Sequence, residues 1–206
     1  EVLATDSWED MVRHYLASMS YADAKLGEML DALAASGHAD DTVVMVMSDH
    51  GYHLGEADLW HKFTTYEQSN RAPLVISAPG KDAREITAPV NLSSVAATAM
   101  ELLGLDPHED MQPSLVDLID GATPDSDAHA ITWMNGSISV RTETHRYVLY
   151  ENGEEELFEI ASDVMNTDNI VDDDPAVAAQ MRLLAQDAVS DDLFIRPTDA
   201  VVGSAE

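Results

Sequence analysis

An unbroken apolar run, Thr42-Val43-Val44-Met45-Val46-Met47, leads directly into Ser48-Asp49-His50-Gly51, and this junction constrains the fold more than any other stretch. β-Branched residues and methionines with no polar alternation read as a central strand covered on both faces, since a strand with one wet face alternates. Such a strand needs helices on either side. Upstream, Met11, Tyr15, Met19, Ala22, Leu26, Leu30 and Leu33 recur at helical spacing, which predicts one long helix over residues 8–36 with a buried stripe. Asp6 or Ser7 can cap it, Glu9 and Asp10 suit its positive end, and Gly37 ends it. Downstream, residues 73–77 read as a second apolar strand and residues 90–103 as a second helix, stopped at Gly104. Helix, strand, loop, strand, helix in that order predicts an α/β domain with a mostly parallel sheet flanked by helices.

The texture changes after Ala122. Short strands are expected at residues 130–133, 138–142, 147–150 and 157–160, and Asn152-Gly153 is a hairpin turn signal. Pro175 follows Asp172-Asp173-Asp174 at a first helical position, with the acids complementing the helix dipole. The expected division is a main α/β part over residues 1–122 and a small antiparallel C-terminal subdomain with a closing helix over 123–206. Short strands in twos and threes bury little apolar surface, so the subdomain is expected to pack on the main part.

Charge excludes one class of partner. Ten Lys and Arg stand against 39 Asp and Glu, a net charge of −29, and phosphate backbones need cationic surfaces, so no nucleic acid is expected. The acids are spread along the chain, which suits a hydrated surface. A salty habitat and a merely acidic soluble protein both account for that. No apolar run is long enough to span a bilayer. With no cysteine, disulfides, thiolate metal sites and a cysteine nucleophile are absent from the chain. It opens Glu1-Val2-Leu3 rather than with Met, which suggests a natural start further upstream.

The chemistry-bearing stretch is residues 48–62. Asp49 and His50 fall just past the carboxyl end of the buried strand, the edge where open α/β sheets bind ligands. A carboxylate suits a hard divalent cation, and the adjacent imidazole can coordinate metal or bond a substrate oxygen. Gly51 lets the chain turn sharply away. Lys62 brings back a compact cation suited to a sulfate or phosphate ester oxygen. Asp-His-Gly after a strand also makes an ordinary turn. His53 and His61 read as loop histidines and Trp60 as loop packing. Asp40-Asp41 lies at the wrong, amino end of the strand for a metal pair.

In combination these blocks resemble the second half of type I sulfatases of the alkaline phosphatase superfamily, closest to the iduronate-2-sulfatase-like and choline-sulfatase-like branches. The resemblance rests on Ser48-Asp49-His50-Gly51, Leu54-Gly55-Glu56 and Trp60-His61-Lys62, and on Arg71-Ala72-Pro73-Leu74. Weaker support comes from residues 15–27, Val140-Arg141-Thr142-Glu143 and Leu157-Phe158-Glu159-Ile160. It implies a partial alkaline-phosphatase-like fold. It implies Asp49 as a carboxylate ligand of one divalent ion, Ca2+ or Mg2+, and His50 as the next residue of that site, touching metal or substrate. It implies Lys62 as the residue that binds the sulfate group and stabilises charge developing on the ester, with Glu56 and Trp60 holding the loop.

The family's nucleophile is a formylglycine made from a Cys/Ser-x-Pro/Ala-x-Arg motif, and a pair of aspartates shares its metal. This sequence has neither, and Asp163-Val164-Met165-Asn166 replaces the usual Asp-Pro-x-Glu turn. The expectation is the C-terminal part of a sulfatase acting on a sulfate-ester substrate, with formylglycine in a missing N-terminal half that would be its partner. Alone, the chain is expected to be inactive. A phosphonate or phosphate ester hydrolase of the same superfamily, and a non-catalytic acidic remnant domain, are the alternatives. A periplasmic or secreted place for the full-length protein is a further expectation of the resemblance.

Overall fold

The computed structural model describes residues 7–190; the candidate cap Asp6 lies outside them. Helix α1 (Trp8–Ser36) ends at Gly37, whose φ of +80° is the left-handed conformation that stops a helix. A 3-10 turn at Ala39–Asp41 holds the two aspartates expected in a turn. Strand β1 (Val44–Met47) follows, then a long loop containing β2 (His53–Leu54), β3 (Trp60–His61) and the one-turn helix α2 (Glu67–Asn70). Strand β4 (Leu74–Ser77), helix α3 (Ser94–Leu102) and the short α4 (Val116–Ile119) complete the first half. Helix α3 starts four residues later than the pattern predicts, after a turn in which the Asn91 and Leu92 carbonyls accept the Ser94 and Val95 N–H groups; the Asn91 Oδ1 accepts the Ile131 N–H at 2.9 Å.

The class is α/β as expected, but the sense of the principal pair is not. β1 and β4 run antiparallel, with Met47 opposite Leu74 and Val44 opposite Ser77, and every strand pairing among the described residues is antiparallel. A parallel pair requires a crossover that returns the chain to the amino end of the first strand. The loop over residues 48–73 instead leaves and re-enters at the carboxyl end of β1. β1 is also not covered on both faces: its residues are half-buried and Met47 is 48% exposed. The α1 stripe likewise stays uncovered. No α1 residue is fully buried, and Met19 and Leu30 are exposed. Among the described residues the stripe meets Tyr52 at Tyr15 and, further along, faces the β1–β4 pair across an open groove of about 490 Å³ lined by Leu26, Leu30, Leu33, Val44, Val46 and Val75.

The core sits in the second half. Strands β5 (His129–Met134), β6 (Ser137–Thr142), β7 (His145–Leu149) and β8 (Glu155–Glu159) form an antiparallel meander in chain order. The β5–β6 turn is Asn135-Gly136, with φ of +50° and +79°, the two left-handed residues that a two-residue hairpin requires. The β7–β8 turn contains Asn152-Gly153 as expected, with Gly153 at φ +86°. Alternation divides this sheet cleanly. Ile138, Val140, Tyr147 and Leu157 pack on Ala178, Met181 and Ala185 of helix α5 (Pro175–Ser190). α5 begins at the expected proline, and Asp174 Oδ1 accepts the Val177 N–H at 3.2 Å. The opposite face carries Ser139, Arg146, Val148 and Phe158, all buried, and faces the loop around α2. No helix among the described residues is long and apolar enough to cross a membrane.

Candidate active site

The loop after β1 is built around backbone contacts rather than side-chain packing. Ser48 N–H donates to the Pro73 carbonyl at 3.3 Å, carrying the β1–β4 pairing one residue further, and Ser48 Oγ donates to the His50 carbonyl at 2.7 Å. Gly51 N–H then donates to the Ser69 carbonyl of α2 at 2.8 Å. Gly51 has no positive φ, so the turn itself does not require glycine. Its reason is proximity: a Cβ there would lie 2.0 Å from the Gln68 carbonyl oxygen. Gly55 differs, with φ +110° and a Cβ position 2.2 Å from the indole of Trp8.

Helix α1 clasps the loop through aromatic rings. Trp8 meets Trp60 edge-on at 5.4 Å, and Tyr15 stacks on Tyr52 at 5.4 Å. Tyr52 Oη is 2.8 Å from His61 Nδ1. Trp60 thus packs the loop, and Glu56 braces it, with its Oε2 accepting the Leu54 N–H at 2.6 Å. His53 is fully buried, with Nε2 2.7 Å from Thr64 Oγ1. Burial pushes its pKa below the ordinary histidine value, and the Glu56 carboxylate opposes this only in part.

Asp49, His50 and Lys62 come together at the carboxyl edge of β1. Lys62 Nζ is 2.6 Å from His50 Nε2, and that nitrogen is 3.4 Å from Asp49 Oδ2. The other ring nitrogen settles the tautomer. His50 Nδ1 is 2.7 Å from the Gly51 carbonyl, which can only accept, so Nδ1 carries the proton. Nε2 therefore presents a lone pair, which accepts from the Lys62 ammonium and lies beside the carboxylate. The cluster is open: the Asp49 side chain is 81% exposed. Among the described residues no carboxylate lies within ion-pair distance of Lys62, in a chain of 39 acids.

An exposed carboxylate and an imidazole lone pair on one side of a strand end can hold a divalent cation, but only as part of its shell. Calcium takes six to eight oxygen ligands. No group of three or more candidate metal ligands exists among the described residues. The donor set fits the expected metal as one side of a site.

Two buried neighbours of this loop, Glu67 and Arg146, escape a reading of the sequence. Glu67, in α2, is buried and bonded to Arg146 Nη2 at 2.6 Å and to Arg141 Nε at 3.1 Å. Burial alone would raise the Glu67 pKa, but the two guanidiniums outweigh it and hold the carboxyl below its ordinary range. Glu67 N–H donates to Asn166 Oδ1 at 2.8 Å, so the divergent turn at residues 163–166 supplies a contact of its own.

The family model for Sulfatase matches residues 3–105. A sulfatase of Formosa agariphila is 36% identical over 159 residues, covering 76% of this chain and 31% of that protein. A choline-sulfatase of Rhizobium meliloti is 30% identical over 182 residues, covering 84% of this chain and 35% of that protein. The chain thus spans about a third of the length of these curated relatives. Its fold is also that of BT1596, a 2-O GAG sulfatase, with a TM-score of 0.73 and 19% identity over 94% of this chain and 46% of that one.

Proposed function

Because the chain belongs to the sulfatase family, with an alkaline-phosphatase-like fold, we propose that it is the C-terminal part of a metal-dependent hydrolase of sulfate monoesters. On this reading residues 1–122 complete the main α/β domain and residues 123–206 form the appended subdomain. The nucleophile, a formylglycine, comes from an N-terminal half outside this chain. A periplasmic or secreted location belongs to that whole protein.

The single observation that carries the reading is the cluster of Lys62, His50 and Asp49. A lysine with no carboxylate partner among the described residues, in so acidic a chain, is available to an anion. Its ammonium binds a sulfate oxygen and stabilises charge that grows on the ester as the bond to the leaving oxygen breaks. The Gly51 carbonyl keeps the His50 proton on Nδ1, so Nε2 stays free to ligate or to orient Lys62. Asp49 fixes one edge of the cation site. A divalent ion, Ca2+ or Mg2+, supplies further charge compensation at the sulfate oxygens when bound. Support for a missing partner comes from the uncovered α1 stripe and β1–β4 face, and from the share of the relatives that the chain spans.

The test is hydrolysis of an aryl sulfate with calcium present. The chain alone should give no turnover above background, because neither Asp49 nor Lys62 is an attacking group. Supplied with the N-terminal half of a matching sulfatase it should turn over, and Lys62→Ala should cost on the order of 10²–10³ in kcat. Turnover by the chain alone that Asp49→Ala abolishes would show a complete enzyme instead. Preference of the reconstituted enzyme for a phosphonate monoester would move the reading to that branch of the superfamily.

A further inference from the structure

Glu67 and Arg146 are both about 3% exposed, a buried ion pair in a protein whose other carboxylates are mostly in water. Such a pair is a weak stability device, since its desolvation offsets much of its attraction. What it does supply is geometry. Arg146 reaches Glu67 Oε2 with Nη2 at 2.6 Å and Nε at 3.2 Å, and its Nη1 donates to the Thr65 carbonyl at 3.0 Å and to Ser139 Oγ at 2.9 Å. Arg141 from the neighbouring strand adds its Nε at 3.1 Å, and Asn166 holds the Glu67 N–H. The first residue of α2 is thereby fixed from three points of the C-terminal unit: β6, β7 and the turn after β8.

From α2 the contacts run on to the site without a gap. The Ser69 carbonyl accepts Gly51 N–H, and Gly51 lies so close to the Gln68 carbonyl that no Cβ fits between them. The Gly51 carbonyl in turn holds His50 Nδ1–H, which sets the lone pair that Lys62 meets. Backbone in contact with backbone transmits a shift of α2 to Gly51, whose N–H and carbonyl lie on the two peptide planes that flank its Cα.

We propose that Glu67 is a positioning residue for the anion site: its pair with Arg146 seats α2 so that Gly51 holds His50 in the Nδ1–H tautomer facing Lys62. The proposal rests on the reading of Asp49, His50 and Lys62 as the site. It makes the C-terminal sheet a brace for the chemistry rather than an appendage.

The experiment is nitrogen-15 NMR of the full chain, with Glu67→Gln and Arg146→Lys, and with Tyr150→Phe as a control. Tyr150 donates to Glu156 at 2.6 Å, a carboxylate that also accepts from Tyr66 at the start of α2 at 3.1 Å, so this control loosens the flank of α2 while leaving the Glu67–Arg146 pair in place. The imidazole resonances report the His50 tautomer, and amide exchange reports Gly51 against Val148 of β7. The wild type should show the Nδ1–H tautomer. Glu67→Gln should mix the tautomers and speed Gly51 exchange on the order of tenfold, the loss expected of a hydrogen bond to a charged group, with Val148 unmoved. Tyr150→Phe should change neither.

Unaltered His50 tautomer and Gly51 exchange in a folded Glu67→Gln would overturn the proposal. So would equal acceleration at Gly51 and Val148, or the same change in Tyr150→Phe, since either describes general loosening. If Glu67→Gln fails to fold, Arg146→Lys, which keeps the charge and loses the fork, is held to the same criteria. Titration with inorganic sulfate separates the two claims. A wild-type chain whose His50 and Lys62 resonances ignore sulfate removes the functional reading, while the response to Glu67→Gln still reports the brace.

Discussion

Two glycines show how one residue type serves opposite purposes. Gly27 sits on the exposed surface of α1, and a Cβ there meets nothing within 4 Å. Gly27→Ala should therefore stabilise the helix by about 0.5–1 kcal/mol, through lower backbone entropy in the unfolded chain. Gly51→Ala puts a Cβ 2.0 Å from the Gln68 carbonyl, where backbone has to give way. Overpacking of this kind costs about 1–3 kcal/mol and should displace His50 as well. Urea unfolding of the two variants, read side by side, should move the midpoint in opposite directions; a harmless Gly51→Ala would mean that the loop is not packed on α2. At this scale the grouping of Asp49, His50 and Lys62 was legible because they lie within one short segment whose residue types and spacing single it out. Glu67 and Arg146 were not. They stand 79 residues apart, and nothing local distinguishes this glutamate from the other acids. Gly51 was legible as necessary, but for the wrong reason, since a close approach leaves no mark in a sequence that a tight turn does not leave too.

Elements were legible where local chemistry decides them. Gly37, Gly104 and Pro175 end or begin helices as their conformational preferences dictate, and the four C-terminal strands fall within a residue or two of their patterns. What failed is what depends on partners: the sense of β1 against β4, and whether the α1 stripe is covered. The loop between β1 and β4 also holds two strands of two residues each, too short for any periodicity to reveal. That loop should be sensitive to acid. His53 in β2 is buried, and its pKa lies below the ordinary 6.5 because burial disfavours the charged ring. The unfolded chain takes up a proton near 6.5, and the folded loop only at lower pH. The neutral ring's contribution is therefore present above 6.5 and lost as pH falls from there toward the folded value. Amide exchange over residues 53–64, corrected for intrinsic rates, should accelerate between about pH 7 and pH 5, while β6 and β7 hold. His53→Leu should flatten that dependence. An unchanged profile in the variant would assign the acid response to another group.

At the scale of the whole molecule, stability should be graded from one end to the other. The fully buried apolar cluster joins β6, β7 and β8 to α5, whereas the 29 residues of α1 contribute none. Apolar burial contributes about 25 cal/mol per Å², so the half without it has little to offset the entropy of ordering. Helix α1 is held chiefly by Trp8 on Trp60 and Tyr15 on Tyr52, both near its first turns, and its later turns expose Met19, Tyr21 and Met29. A helix with so little tertiary support is marginal in water even when its propensity is good. Hydrogen exchange of the chain alone should thus find amides of residues 19–36 opening at a small fraction of the free energy that protects Val140, Tyr147 and Val148. If an N-terminal half covers the α1 stripe and the β1–β4 face, adding it should raise protection there selectively and leave β6 and β7 where they were. The sequence pattern points the same way: it asks for a covered strand and a covered helix stripe, and the chain by itself provides neither. Residues of α1 as strongly protected as β7 in the isolated chain would show that this half is stable as it stands. The uncovered faces would then need no partner, and the case for a missing half would rest on the shared length of the relatives alone.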